Sequence, residues 1–198
     1  MGIKNRDPYE VFNRWLEKAS KKEVNNPNAM TLATVGKNAR PSARMVLLKD
    51  AGPEGFVFYT NLESPKSRQL RENPHAALLF HWKTLNRQIR IEGSVEQVSD
   101  AEADAYFATR PRASQLGAWA SRQSEALDGW ADLEKRVALY TAKFHVGPVP
   151  RPEFWSGYSL RADRFEFWEE GTFRLHKRFV FTNPDSTTGK WDVQQVYP

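Results

Sequence analysis

Residues 87–98 place the tightest constraint on how this chain can fold. Here Gln88, Arg90, Glu92 and Ser94 alternate with Ile89, Ile91 and Val95. Successive side chains of a strand point to opposite faces, so the segment has one polar face and one apolar face, and the apolar one must be covered. Similar strand signals occur at 29–35, 42–49, 56–61, 75–82, 158–168, 173–182 and 191–197, most of them bounded by turn formers. Gly36-Lys37-Asn38, Glu169-Glu170-Gly171 and Asn183-Pro184-Asp185 read as short turns, and short turns join antiparallel neighbours. These strands, with helices inserted between them, predict an antiparallel barrel with flanking helices, mainly β, rather than a doubly wound parallel sheet. The Gly-rich dinucleotide fingerprint is also absent.

Helix starts are marked by their caps. Asp7, Pro8 and Glu10 open a helix over 8–21, with Val11, Phe12, Trp15, Leu16 and Ala19 on one face, and Asn25-Asn26-Pro27 ends it. Ser64 with Pro65 opens a second helix whose free N–H groups, beside Lys66 and Thr60, suit an anion. Ser99 and Glu102 open a third, on which Tyr106 and Arg110 are neighbours, with Ser114 just beyond Pro111. Past Gln123 and Ser124, the stripe Trp130, Leu133, Val137, Tyr140 and Phe144 predicts core packing.

At 198 residues, the chain is expected to form one domain over 1–198, from the N-terminal helix to a β-meander over 157–198. Aromatic residues at 13% exclude a disordered protein. A net charge of +5 favours small anions over a nucleic-acid backbone. The absence of cysteine excludes disulfides and thiolate chemistry, and no metal-ligand spacing links the four histidines. With neither a signal peptide nor an apolar span in the sequence, the expectation is a cytoplasmic protein without membrane or nucleic-acid partners.

Cations recur where strands and helices need none. Arg44 and Lys49 flank the apolar run Met45-Val46-Leu47-Leu48. A fixed charge at the edge of a core is expensive unless something anionic meets it. On a strand over 173–182, Arg174, His176 and Arg178 would share one face, with Leu175 and Phe179 on the other. Arg44 with Lys66, Lys49 with Tyr106, Arg110 and Ser114, and the Arg174/His176/Arg178 row form three anion-grade groups, which suit two phosphorylated ligands better than one.

The runs at 28–35, 44–49, 58–61, 110–119 and 174–176 resemble the pyridoxine/pyridoxamine 5'-phosphate oxidase family, and the resemblance extends from about Asp7 to the C-terminus. It implies an FMN-binding split β-barrel that works as a homodimer with shared active sites. Such an enzyme oxidises pyridoxamine or pyridoxine 5'-phosphate to pyridoxal 5'-phosphate, with O2 as acceptor and H2O2 as product. By the resemblance, FMN is held by Arg44, Met45, Val46, Leu47, Lys49, Tyr59, Thr60, Lys66, Gln88, Gln123, Ser124, Trp168 and Arg178. The substrate phosphate falls to Lys49, Tyr106, Arg110 and Ser114, and the pyridine ring to Arg174 and His176 as the catalytic pair. Two alternatives keep the flavin: a phenazine-type oxidase acting on another ring, and a non-catalytic flavin-binding protein. The sequence departs from the family pattern at Pro65, where a second basic residue is frequent, and at Asn26, where an acidic one is.

Overall fold

In a computed structural model of the chain, the described residues are 3–183 and 190–198; Pro184 and Asp185 of the expected last turn lie outside them. Helix α1 (Pro8–Lys22) starts as its cap dictates, with the Asp7 carboxylate accepting from the N–H groups of Tyr9 at 2.8 Å and Glu10 at 3.3 Å. Its buried face carries Val11, Phe12, Trp15 and Ala19.

Nine strands form among the described residues: β1 (Ala29–Val35), β2 (Pro41–Leu47), β3 (Asp50–Gly52), β4 (Gly55–Asn61), β5 (His75–Trp82), β6 (Arg87–Gln97), β7 (Trp155–Glu169), β8 (Lys177–Thr182) and β9 (Asp192–Val196). They join in one sheet of order β2-β1-β5-β6-β7-β4-β3, with β8 on β7 and β9 on β8. The registered pairs are antiparallel, as the short turns predict. Close approach of β6 to β7 depends on Gly93, where an added Cβ would lie 1.9 Å from the Arg161 carbonyl oxygen.

The chain divides into two units. The first contains Met1–Phe58, Gln69–Glu96 and Ser159–Pro198. Its core is aromatic: Phe12 meets Phe56 and Phe80 edge-on at 5.0 and 5.2 Å, and Trp15 meets Phe167 at 5.4 Å. Each such ring fully removed from water contributes roughly 1.5–3 kcal/mol. The second unit contains Tyr59–Arg68 and Gln97–Tyr158, and packs around Phe107, Leu116, Val149 and Trp155. It holds α3 (Asp100–Thr109), α4 (Arg112–Ala120) and α5 (Trp130–Lys143), while α2 (Pro65–Glu72) begins in it and ends in the first.

Several expectations are corrected. To the eight strand segments expected, the structure adds a short ninth, Asp50–Gly52, which pairs with β4. Strand β2 stops at Leu47: the Leu48 N–H goes to Asn28 O at 2.9 Å and the Lys49 N–H to Val57 O at 2.8 Å, so the backbone changes neighbours there. The α5 stripe is not a core stripe. No residue of that helix is buried, and Trp130 is 70% exposed. Among the described residues, only its C-terminal end finds rings, with Tyr140 and Phe144 at 5.5 and 5.3 Å from Trp119. Among the described residues, no helix is long and apolar enough to cross a membrane.

Candidate active site

In the first unit, Arg44 is half-buried on β2 and fans its guanidinium over oxygens of two strands and a helix. Nη1 donates to Leu32 O at 3.0 Å and Thr34 Oγ1 at 2.6 Å, and Nη2 to Ser42 Oγ at 2.6 Å and Gln69 Oε1 at 3.5 Å. Gln69 Oε1 also accepts from the Thr34 and Ser42 hydroxyls, which locks the cluster. Burial pushes the arginine below its ordinary pKa. All four partners are neutral, so these contacts fix the cation without cancelling its charge. That is what a phosphate site requires.

The segment carrying Arg174 and His176 overturns the expected strand. Thr172–Arg174 is a 3-10 turn, Phe173 and Arg174 are left-handed at φ 57° and 64°, and β8 begins only at Lys177. Alternation therefore does not align Arg174, His176 and Arg178. The turn instead presents Arg174 and His176 to an open cleft of about 740 Å³, shared with Asn86, Trp168 and Phe173. The His176 ring lies 4.7 Å from the Trp168 ring. Arg178, opposite Trp168 in the β7/β8 register, donates from Nε to Glu166 Oε1 at 2.7 Å. The hydrogen bond to Glu166 is the main reason its pKa stands above the ordinary arginine value.

In the second unit, the Lys66 ammonium is buried. It donates to Thr60 Oγ1 and Ser64 Oγ at 3.0 Å and to Gln123 Oε1 at 2.8 Å. Thr60, Lys66 and Gln123, which the resemblance assigns to the cofactor, are thus joined through the Lys66 ammonium. Ser124, exposed next to Gln123, has φ 70°.

A second cluster in this unit is built on rings. Tyr59 stacks on Tyr106 at 4.0 Å and on Trp155 at 5.2 Å. The Arg110 guanidinium lies 4.7 Å over Trp155 and 5.4 Å from Phe107. Its Nη1 is buried without a hydrogen-bond partner among the described residues, and burial pushes its pKa down. A desolvated cation with an unused donor fits a phosphate oxygen. Ser114, in the first turn of α4, is exposed.

The remaining expected residues occupy simpler positions. Met45 and Leu47 are exposed at 62% and 40% on one face of β2, with Val46 half-buried on the other. Lys49 is exposed beyond the end of β2, and Gln88 is half-buried on β6 opposite His81. Two supporting residues escaped the sequence reading. Gln69 carries no signal, being one polar residue on a polar helix. Glu166 does: a carboxylate between Phe165 and Phe167 in a buried strand demands a cation.

Comparison with known proteins places these clusters in context. The family model described as "Pyridoxamine 5'-phosphate oxidase" matches residues 16–142, and that described as "Pyridoxine 5'-phosphate oxidase C-terminal dimerisation region" matches 155–198. Curated proteins named pyridoxine/pyridoxamine 5'-phosphate oxidase from Brucella anthropi and Brucella canis are each 52% identical, covering 96% and 97% of this chain and 94% of each relative. A crystal structure of PhzG from Burkholderia lata, in complex with tetrahydrophenazine-1-carboxylic acid, superposes with TM-score 0.89 at 30% identity, covering 97% of this chain and 93% of that one. A pyridoxamine 5'-phosphate oxidase-related, FMN-binding protein from Nostoc punctiforme has TM-score 0.76 at 16% identity, over 98% of this chain and 100% of its own, and so shares the split-barrel fold.

Proposed function

The chain belongs to the pyridoxamine 5'-phosphate oxidase family, and from that premise we propose that it is an FMN-dependent oxidase converting pyridoxamine or pyridoxine 5'-phosphate to pyridoxal 5'-phosphate, with O2 as acceptor and H2O2 as product. The observation that carries the substrate class is the unpartnered, buried Nη1 of Arg110 beside Tyr106, a donor reserved for an anion. Lys49 and Ser114 complete the set assigned to the substrate phosphate. The dimerisation region over 155–198 supports a homodimer.

Bound FMN supplies the two-electron acceptor and passes the electrons to O2. FMN is assigned to Arg44, whose charge its neutral partners leave uncancelled, and to Lys66, Thr60, Gln123 and Ser124. Met45, Val46, Leu47, Lys49, Tyr59, Gln88, Trp168 and Arg178 are its remaining proposed contacts. Arg174 and His176 orient the pyridine ring and donate to its oxygen, so that the reacting carbon is held in one geometry.

The test is to add pyridoxamine 5'-phosphate to the purified protein and follow the flavin spectrum, the aldehyde product and H2O2. Flavin-loaded protein without turnover would overturn the proposal. The likeness to PhzG supports a second reading, in which the substrate is an unphosphorylated polycyclic acid. Turnover of such acids, but not of pyridoxamine 5'-phosphate, would select it.

A further inference from the structure

We infer that Gly171 is a positioning residue for His176, fixing both the place of the imidazole and the nitrogen that carries its proton. This inference rests on the proposed role of His176 at the substrate ring. The Gly171 N–H donates to His176 Nδ1 at 3.3 Å. An imidazole nitrogen that accepts carries no hydrogen, so the neutral ring holds its proton on Nε2. His176 then offers an N–H donor from Nε2, the nitrogen not engaged by Gly171.

The turn between the two residues is built so that this bond can form. Its closing hydrogen bonds run from the Leu175 N–H to Thr172 O at 3.1 Å and from the His176 N–H to Arg174 O at 2.9 Å. It also contains Phe173 and Arg174 as consecutive left-handed residues, a conformation that non-glycine side chains disfavour. The fold-back brings the Leu175 carbonyl against Gly171. An added Cβ there would stand 2.0 Å from Leu175 O, 2.7 Å from Leu175 C and 3.3 Å from His176 N. At φ −123° the backbone of Gly171 is one that any residue adopts. Glycine is therefore required for the close approach and not for its torsion. Any side chain forces the 175–176 backbone back by about 1 Å, which draws His176 Nδ1 away from the 171 N–H.

Nitrogen-detected NMR of the flavin-loaded protein, at a pH where the ring is neutral and with His176 assigned from the His176→Gln spectrum, reads the tautomer directly. Hydrogen on Nε2 with Nδ1 unprotonated supports the assignment; hydrogen on Nδ1 overturns it, whatever the activity. In Gly171→Ala the expected result is a mixed or reversed tautomer and a kcat lower by about 10- to 100-fold, with flavin content retained. Wild-type tautomer and kcat in that variant would also overturn it. If Gly171→Ala does not fold, the wild-type tautomer alone decides. If the wild-type protein binds flavin yet does not oxidise pyridoxamine 5'-phosphate, the functional reading fails while the tautomer still tests the turn.

Discussion

Glu166 and Arg178 are paired across β7 and β8: Arg178 Nε donates to Glu166 Oε1 at 2.7 Å, and the carboxylate is 3% exposed. Arg90 Nη2 holds the other oxygen at 2.9 Å while its Nε meets Glu92 Oε1 at 2.6 Å, so Glu166 is shared between two guanidinia, one of which has a second carboxylate. Removing that charge leaves Arg178 without its carboxylate and Arg90 with Glu92 alone. Since the arginine side chains are 29% and 39% exposed and can rehydrate, Glu166→Gln is expected to destabilise the protein by about 1–3 kcal/mol. Urea unfolding measures the loss, and flavin retention should weaken with it, because Arg178 is no longer aimed.

Arg44→Lys separates charge from geometry. An ammonium keeps the charge but cannot span Leu32 O, Thr34 Oγ1 and Ser42 Oγ at once, as the planar guanidinium does. With Arg44 on the FMN phosphate as proposed, losing one charge-assisted bond is expected to raise the flavin Kd by about 10- to 100-fold. Fluorescence titration of the flavin-free protein reads it. Unchanged affinity would remove Arg44 from the cofactor site.

Arg110→Met keeps the apolar stem over Trp155 and deletes the unpartnered donor. The expected outcome is a KM for pyridoxamine 5'-phosphate raised about 10- to 100-fold, flavin content unchanged, and little effect on unphosphorylated pyridoxamine. Equal losses on the two substrates would show that Arg110 does not read the phosphate.

Tyr9 predicts an alkaline limit to stability. Burial, with Asp7 and Glu54 adding to it, pushes its phenol up to about 12 from 10.0. The ring packs on Phe165 at 5.2 Å and Trp191 at 6.0 Å. The unfolded chain releases this proton near pH 10 and the folded one resists, so the contribution is fully present below about pH 10 and is lost as pH rises through about 12. Tyr9→Phe should flatten that limb in thermal melts run across the same range. An unchanged pH dependence would assign the limb to other groups.

Local signals were sufficient for elements whose causes are local. The Asp7 cap, the alternation through β6 and the turn chemistry each act within a few residues, so the start of α1, the polar and apolar faces of β6 and the antiparallel pairing were legible. Reading failed at α5 and at Thr172–Arg174. Periodicity along α5 says that one face is apolar, but not whether the single chain covers it, and Trp130 is left 70% exposed. Along 172–176, cations spaced two apart imitate a strand, while the left-handed Phe173 and Arg174 break the alternation.

The sequence by itself determined which cations are present, and that fixed charges beside apolar runs need partners. It also carried enough motifs in order to identify the family. Only the tertiary structure decided how each cation is held. Arg44 depends on Gln69, Thr34 and Ser42, Arg178 on Glu166, and His176 on the N–H of a glycine five residues before it. The reason is physical: a charge is a property of one residue, whereas its aim and its desolvation are set by groups that only folding brings within hydrogen-bond distance.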